Sequence, residues 1–74
     1  MAVEIELFGQ LLPGAPRHQT LTLEQPMPAE QVAIRVGFNP EQIGLVVING
    51  VQREMHDPVP PDCRLCFFPP VSGG

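Results

Sequence analysis

The residues best suited to chemistry are the last six, Pro69-Pro70-Val71-Ser72-Gly73-Gly74, and the group they offer is a terminal carboxylate. Two prolines hold a chain extended and withdraw two backbone donors. Two glycines remove every Cβ, so a carboxylate on Gly74 can slide down a channel too narrow for other residues. At about 3.3 Å per residue, such an arm reaches roughly 20 Å. A Gly-Gly ending can also be an inert, disordered terminus. Here it follows the apolar run Leu65-Cys66-Phe67-Phe68 and a Pro-Pro stiffener, which favours an arm whose carboxylate is itself the reactive group.

The other reactive side chains point to little. Cys63 and Cys66 form an isolated Cys-x-x-Cys, a weak signal for redox or zinc chemistry without further Cys or nearby His. On a strand these two residues face opposite sides with Cα atoms roughly 10 Å apart, whereas a disulfide needs about 7 Å or less. The expectation is one thiol buried and one on the surface. His18 and His56 are far apart and stand in no ligand spacing. No triad, paired acid–base carboxylates or metal cluster can be assembled, so no catalytic residue, metal or bound cofactor is expected.

Seventy-four residues make one domain near the lower limit for a self-supporting core, and 43% apolar content argues against disorder throughout. The net charge of −4 disfavours nucleic-acid binding and suits a partner with a basic docking surface. Its positive side chains are Arg17, Arg35, Arg53 and Arg64, with no lysine to be modified or to form a Schiff base. No apolar run approaches the ~20 residues that span a bilayer and no signal segment opens the sequence. A soluble, cytoplasmic protein without membrane contact is expected.

Val3, Ile5 and Leu7 alternate with Glu4, Glu6 and Phe8, the period of a half-buried strand. Residues 12–16 are turn material, and Leu21 and Leu23 mark a second strand pairing back as a hairpin. Pro28 suits the first turn of a short helix, with Glu30 at its positive end; Ala29, Val32, Ala33 and Val36 recur at helical spacing and Gly37 can cap it. Phe38 to Ile43 reads as an irregular return. Gly44 to Ile48 reads as a buried strand closed by the turn dipeptide Asn49-Gly50, and Val51 to Glu54 as a short continuation. After a proline-stiffened loop, Arg64 to Phe68 is the last strand. This order predicts an α+β, β-grasp (ubiquitin-like) domain over residues 1–68: a mixed sheet of four to five strands, one main helix across one face, and the first and last strands parallel at its centre. Residues 69–74 are expected to form a flexible tail that is ordered only inside a partner, since they have little to offset about 1–2 kcal/mol of ordering cost per residue.

The alternation places Leu65 and Phe67 in the core and turns Arg64, Cys66 and Phe68 outward beside Glu4, Glu6 and Phe8. Phe8 and Phe68 should therefore be exposed on neighbouring strands next to where the tail departs. An exposed aromatic pair of this kind marks a partner surface, to which Arg64 also belongs; the alternative is a slipped register that buries the two rings in an edge cluster.

Phe8-Gly9-Gln10-Leu11, Asn49-Gly50, Asp62 and the ending Phe67-Phe68-Pro69-Pro70-Val71-Ser72-Gly73-Gly74 resemble the MoaD/ThiS family of sulfur-carrier proteins, most of all the small subunit of molybdopterin synthase. The likeness spans the chain in length and element order, and the Phe-Phe-Pro-Pro-Val-x-Gly-Gly ending is its most specific part. The sequence departs from the family where Pro61-Asp62 replaces the usual Gly-Asp, and in a shorter, leucine-poor helix. The resemblance implies a non-catalytic co-substrate. An adenylating enzyme of the ubiquitin-activating type would use ATP to activate Gly74, and a sulfur donor would convert it to a thiocarboxylate. The tail, Pro69, Pro70, Val71, Ser72 and Gly73, would then carry the sulfur into the large subunit to build the dithiolene of a molybdenum or tungsten cofactor. Thiamine or amino-acid biosynthesis and a ubiquitin-like protein modifier are the alternatives.

Overall fold

The computed structural model describes residues 1–9 and 14–70. Part of the expected first turn, together with Gln10 and Leu11, and residues 71–74 of the tail lie outside the described residues. Five strands form one mixed sheet: β1 (Ala2–Leu7), β2 (His18–Thr22), β3 (Leu45–Ile48), β4 (Val51–Arg53) and β5 (Arg64–Phe68), in the order β2-β1-β5-β3-β4. β1 and β5 run parallel at the centre, with Ile5 beside Leu65 and Leu7 beside Phe67, as the element order predicts. β2 folds back antiparallel on β1, and β3 pairs antiparallel with both β5 and β4.

Alternation decides which face is buried. Val3, Ile5, Leu7, Val46, Ile48, Leu65 and Phe67 all point to one side, where the helix α1 (Ala29–Val36) contributes Ala29, Val32 and Ala33 to the same core. At roughly 25 cal/mol per Å² of apolar surface removed from water, this one-sided burial is the main force holding so small a sheet together. The β3–β4 hairpin turns at Asn49 (φ 51°) and Gly50 (φ 82°), the left-handed pair that matches strand twist. The Asn49 side chain also accepts a bond from Arg64 N–H at 3.0 Å, which extends the β3–β5 pairing past Ile48.

Two details depart from the expectation. Pro28 is not within the first turn but precedes it as the N-cap residue, with φ −59° and ψ 149° and no side-chain cap. The helix's free N–H groups are taken instead by the proline-rich loop, Ala29 donating to the Asp57 carbonyl and Glu30 to that of Met55. Within the return, Pro40–Gln42 form a 3₁₀ turn capped by the Asn39 side chain, and Phe38 is a core residue that meets Phe67 edge-on at 5.3 Å. Before β5, Asp62 itself takes the left-handed conformation (φ 55°), which is how the Pro61-Asp62 turn is made without a glycine. Gly37, at φ 119°, closes α1 as the sequence predicts, its N–H donating to Ala33.

Candidate functional site

The candidate site lies on the sheet face opposite the helix, at the end where β5 runs out. β1 turns Glu4, Glu6 and Phe8 to this face and β5 turns Arg64, Cys66 and Phe68 to it, as the alternation predicts. The parallel register that sets Leu7 beside Phe67 carries Phe8 to the side of Phe68. Their rings stack nearly parallel, 9° apart in plane, with centroids separated by 4.3 Å. Here the structure corrects the sequence reading. Phe8 and Phe68 are half-buried rather than exposed, because each covers one face of the other.

The same face holds two residues that the sequence reading did not single out. β3 buries Val46 and Ile48, leaving Leu45 and Val47 half-buried on the opposite side, where Leu45 pairs with Phe68 and Val47 with Cys66. Phe8, Phe68, Leu45, Val47 and Cys66 thus form one apolar strip across three strands, and no described helix or strand lies over it. An all-apolar run such as Leu45-Val46-Val47-Ile48 has no alternation to show that one of its faces is left open.

A charged pair bounds the strip. Arg64 donates to Glu6 Oε1 at 2.6 Å, and His18 Nδ1 lies 3.9 Å from the same oxygen. The bond from Arg64 holds the Glu6 carboxyl below its ordinary range, opposed by partial desolvation and aided by the nearby positive charges of His18, Arg64 and Arg17. Arg64 is largely exposed while the Glu6 side chain is mostly covered, so the pair orients the guanidinium more than it stabilises the fold. A group whose folded-state pKa is lowered adds stability above its unfolded value, and that contribution is lost as pH falls through the folded value. Glu6→Gln is therefore expected to lower the melting temperature slightly at about pH 7, and the gap to the parent should close below about pH 4. Melts of both proteins across that range are the check; a gap that persists unchanged would show that the pair does not titrate with folding.

Cys63 and Cys66 are free and sit on opposite faces, Cys63 fully buried and Cys66 half-buried, close to the expected split. Burial pushes both thiols above their ordinary range, which keeps them protonated and poorly reactive. No group of three or more His, Cys, Asp or Glu able to hold a metal ion occurs among the described residues. His18 and His56 are exposed, and among the described residues they lie 3.9 Å from Glu6 and 4.0 Å from Asp57.

The tail begins inside the fold. Pro69 is half-buried and Pro70 exposed, both directly beyond β5 at the rim of the apolar strip. Phe8 N–H donates to the Phe67 carbonyl at 3.0 Å and Gly44 N–H to the Phe68 carbonyl at 2.8 Å, so β5 is held on both flanks up to its last residue. Residues 71–74, where the sequence reading puts the reactive group, lie outside the described residues.

The fold recurs in solved structures. SAMP1 from Haloferax volcanii superposes with a TM-score of 0.71 at 24% identity, with both chains covered in full. The HVO 2177 protein of the same organism gives 0.73 at 15% identity, covering all of this chain and 87% of the other. A chain of the complex of subunits 1 and 2 of molybdopterin-converting factor from Helicobacter pylori gives 0.61 at 19% identity, again over both full lengths. The fold is a β-grasp. No protein-family model matches the sequence, and no curated protein does. At these identities the likeness is one of fold: a β-grasp sheet with a central parallel pair, whose open face and strand end present the candidate site. No described helix is long and apolar enough to cross a membrane.

Proposed function

We propose that this β-grasp protein is a sulfur carrier. Its Gly74 carboxylate is activated by an adenylating enzyme: a carboxylate oxygen attacks the α-phosphate of ATP and pyrophosphate leaves. A sulfide-equivalent donor then attacks the acyl carbon, AMP leaves, and Gly74 carries a thiocarboxylate. The sulfur goes on to a cyclic pterin phosphate held by a larger partner subunit, as a step in molybdenum- or tungsten-cofactor synthesis. The chain supplies no acid or base to these steps; the adenylating enzyme and the larger subunit do. It supplies an electrophile on an arm, and a face by which partners hold the arm in register.

One observation carries this reading. The central strand β5 passes straight from the buried Phe67, through the stacked Phe68, into Pro69-Pro70 at the rim of an apolar strip with no described element over it. A partner that covers the strip is thereby placed beside the root of the arm. The likeness to a chain of the Helicobacter pylori molybdopterin-converting factor complex supports the choice of a pterin acceptor.

The test is the intact mass of the full chain after incubation with a cognate adenylating enzyme, ATP and a sulfide source. The expected gain equals one sulfur replacing one oxygen. An unchanged mass would sink the proposal, and amide conjugates of Gly74 to other proteins without any thiocarboxylate would make the chain a modifier instead.

The face makes a separate prediction. Phe68→Ala should weaken binding to the larger subunit or the adenylating enzyme by about 2 kcal/mol or more, as for an aromatic anchor near an interface centre. Because Phe68 is half-buried, its loss should cost the free protein well under the ~3–5 kcal/mol of a fully buried Phe, much of it the stacking with Phe8. Titration calorimetry and urea unfolding separate the two effects. A large stability loss with partner affinity unchanged would mean that the stack serves the fold alone.

A further inference from the structure

Two glycines flank the root of the arm. One step beyond the parallel pair Leu7–Phe67 and the adjacent Phe8–Phe68 stack stand Gly9 and Pro69; one step beyond the antiparallel pair Leu45–Phe68 stand Gly44 and Pro69. Proline ends the ladder at residue 69 because it has no N–H to give. Both of its lateral neighbours lack a Cβ. A Cβ placed on Gly9 would lie 2.7 Å from Pro69 Cγ, and one on Gly44 would lie 2.5 Å from Pro70 Cα, 2.7 Å from Pro70 N and 2.8 Å from the Pro69 carbonyl oxygen.

The two positions differ in a way that isolates the cause. Gly9 has φ +68°, so its backbone conformation alone favours glycine. Gly44 does not lie in the left-handed region, so no left-handed backbone bars an alanine there. What excludes a side chain at residue 44 is the close passage of the Pro69-Pro70 main chain, against atoms that cannot rotate away.

We propose that Gly9 and Gly44 form a seat for Pro69-Pro70 that aims the arm as it leaves the sheet, with Gly44 as a positioning residue for the modification of Gly74. The seat confines Pro69 between Gly9 and Gly44, just outside β1 and β3, and the fixed φ of Pro70 narrows the directions in which the chain can leave it. The aim matters because a tip that must reach an acyl-activating centre loses about a hundredfold in rate for a misplacement of about 1 Å. The functional half of this inference rests on the sulfur-carrier reading; the structural half does not.

The test uses full-length Gly44→Ala, with Gly50→Ala as control. Gly50 has φ +82° but nothing within 4 Å of a Cβ, so its variant carries backbone strain without touching the arm. In the parent, nuclear Overhauser contacts between Gly44 and Pro70 are expected; in Gly44→Ala the resonances of Pro69 and Pro70 should shift and those contacts should be lost, while those of Val46 and Leu65 hold. Adenylation of Gly74 should fall about tenfold to a hundredfold in kcat/KM for Gly44→Ala and stay near the parent value for Gly50→Ala. Unchanged Pro69 and Pro70 resonances, or unchanged adenylation, would overturn the proposal.

If the parent chain is not adenylated at all, the sulfur-carrier reading fails and the resonance comparison alone decides the seat. Should Gly44→Ala not fold, Pro70→Gly takes its place. That change leaves both glycines in position but frees the direction of the chain beyond them, and the same drop in adenylation at parental stability is expected. Adenylation at the parental rate in Pro70→Gly would equally overturn it.

Discussion

A chain lacking Gly73 and Gly74 is expected to lose all sulfur loading while unfolding like the full-length protein. The loss is complete because the carboxylate whose oxygen takes the adenylyl group, and whose carbon then takes sulfur as AMP leaves, belongs to Gly74; a chain ending on Ser72 offers its carboxylate short of the activating centre and behind a side chain. Stability should change by less than about 0.5 kcal/mol, as for surface changes generally. The buried apolar residues of the described structure run from Val3 to Phe67, and β5 ends at Phe68, so the core is complete before the arm begins. Intact mass after the loading reaction reads the first effect and urea unfolding the second. A truncated protein that unfolds at markedly lower urea would assign the last residues a structural role and remove the premise of a free arm.

The opposite behaviour is expected of Phe67, the immediate neighbour of the stacked Phe68. Phe67 is fully buried, the largest such side chain in the core, and packs edge-to-face with Phe38 while sitting between β1 and β3 on the helix side. Phe67→Ala should cost about 3–5 kcal/mol, the lost transfer energy plus the cavity left behind. For 74 residues the whole stability is roughly 4–11 kcal/mol, at about 0.05–0.15 kcal/mol per residue. The variant should therefore keep no more than about 8 kcal/mol and, at the low end of that range, be unfolded at room temperature. Urea unfolding followed by circular dichroism measures this; a loss below about 1.5 kcal/mol would mean that the core collapses around the gap. Phe67 and Phe68 together test the assignment of faces: one step along β5 should exchange a stability phenotype for a binding phenotype.

That contrast was legible in the sequence because strand alternation is local. Val3, Ile5 and Leu7 against Glu4, Glu6 and Phe8, and Leu65 and Phe67 against Arg64, Cys66 and Phe68, state which face is buried without reference to anything else. The hairpin turn at Asn49-Gly50 and the helix stop at Gly37 were equally local, since each requires a left-handed residue that the sequence supplies. The hairpin of the first two strands and the parallel central pair followed from the element order and the crossover helix, whereas the place of β3 between β5 and β4 came from the structure.

Other features depended on residues that meet only in the folded chain. The stacking that half-buries Phe8 and Phe68 joins side chains sixty positions apart, and no local pattern reports it. The start of α1 is capped by carbonyls of Met55 and Asp57, so the sequence around Pro28 holds no capping side chain to read. Leu45 and Val47 look as buried as Val46 and Ile48 until the helix takes one face and leaves the other open.

The seat of the arm shows the division most clearly. From its residues alone, the sequence determined that an extended Pro-Pro segment follows β5, because proline constrains φ wherever it stands. Only the tertiary structure decided that Pro69 and Pro70 pass Gly9 and Gly44 within a distance that excludes a Cβ. A glycine at residue 44, outside the left-handed region, carries no local sign of its purpose. Steric exclusion is a property of two surfaces, and the sequence displays them one at a time.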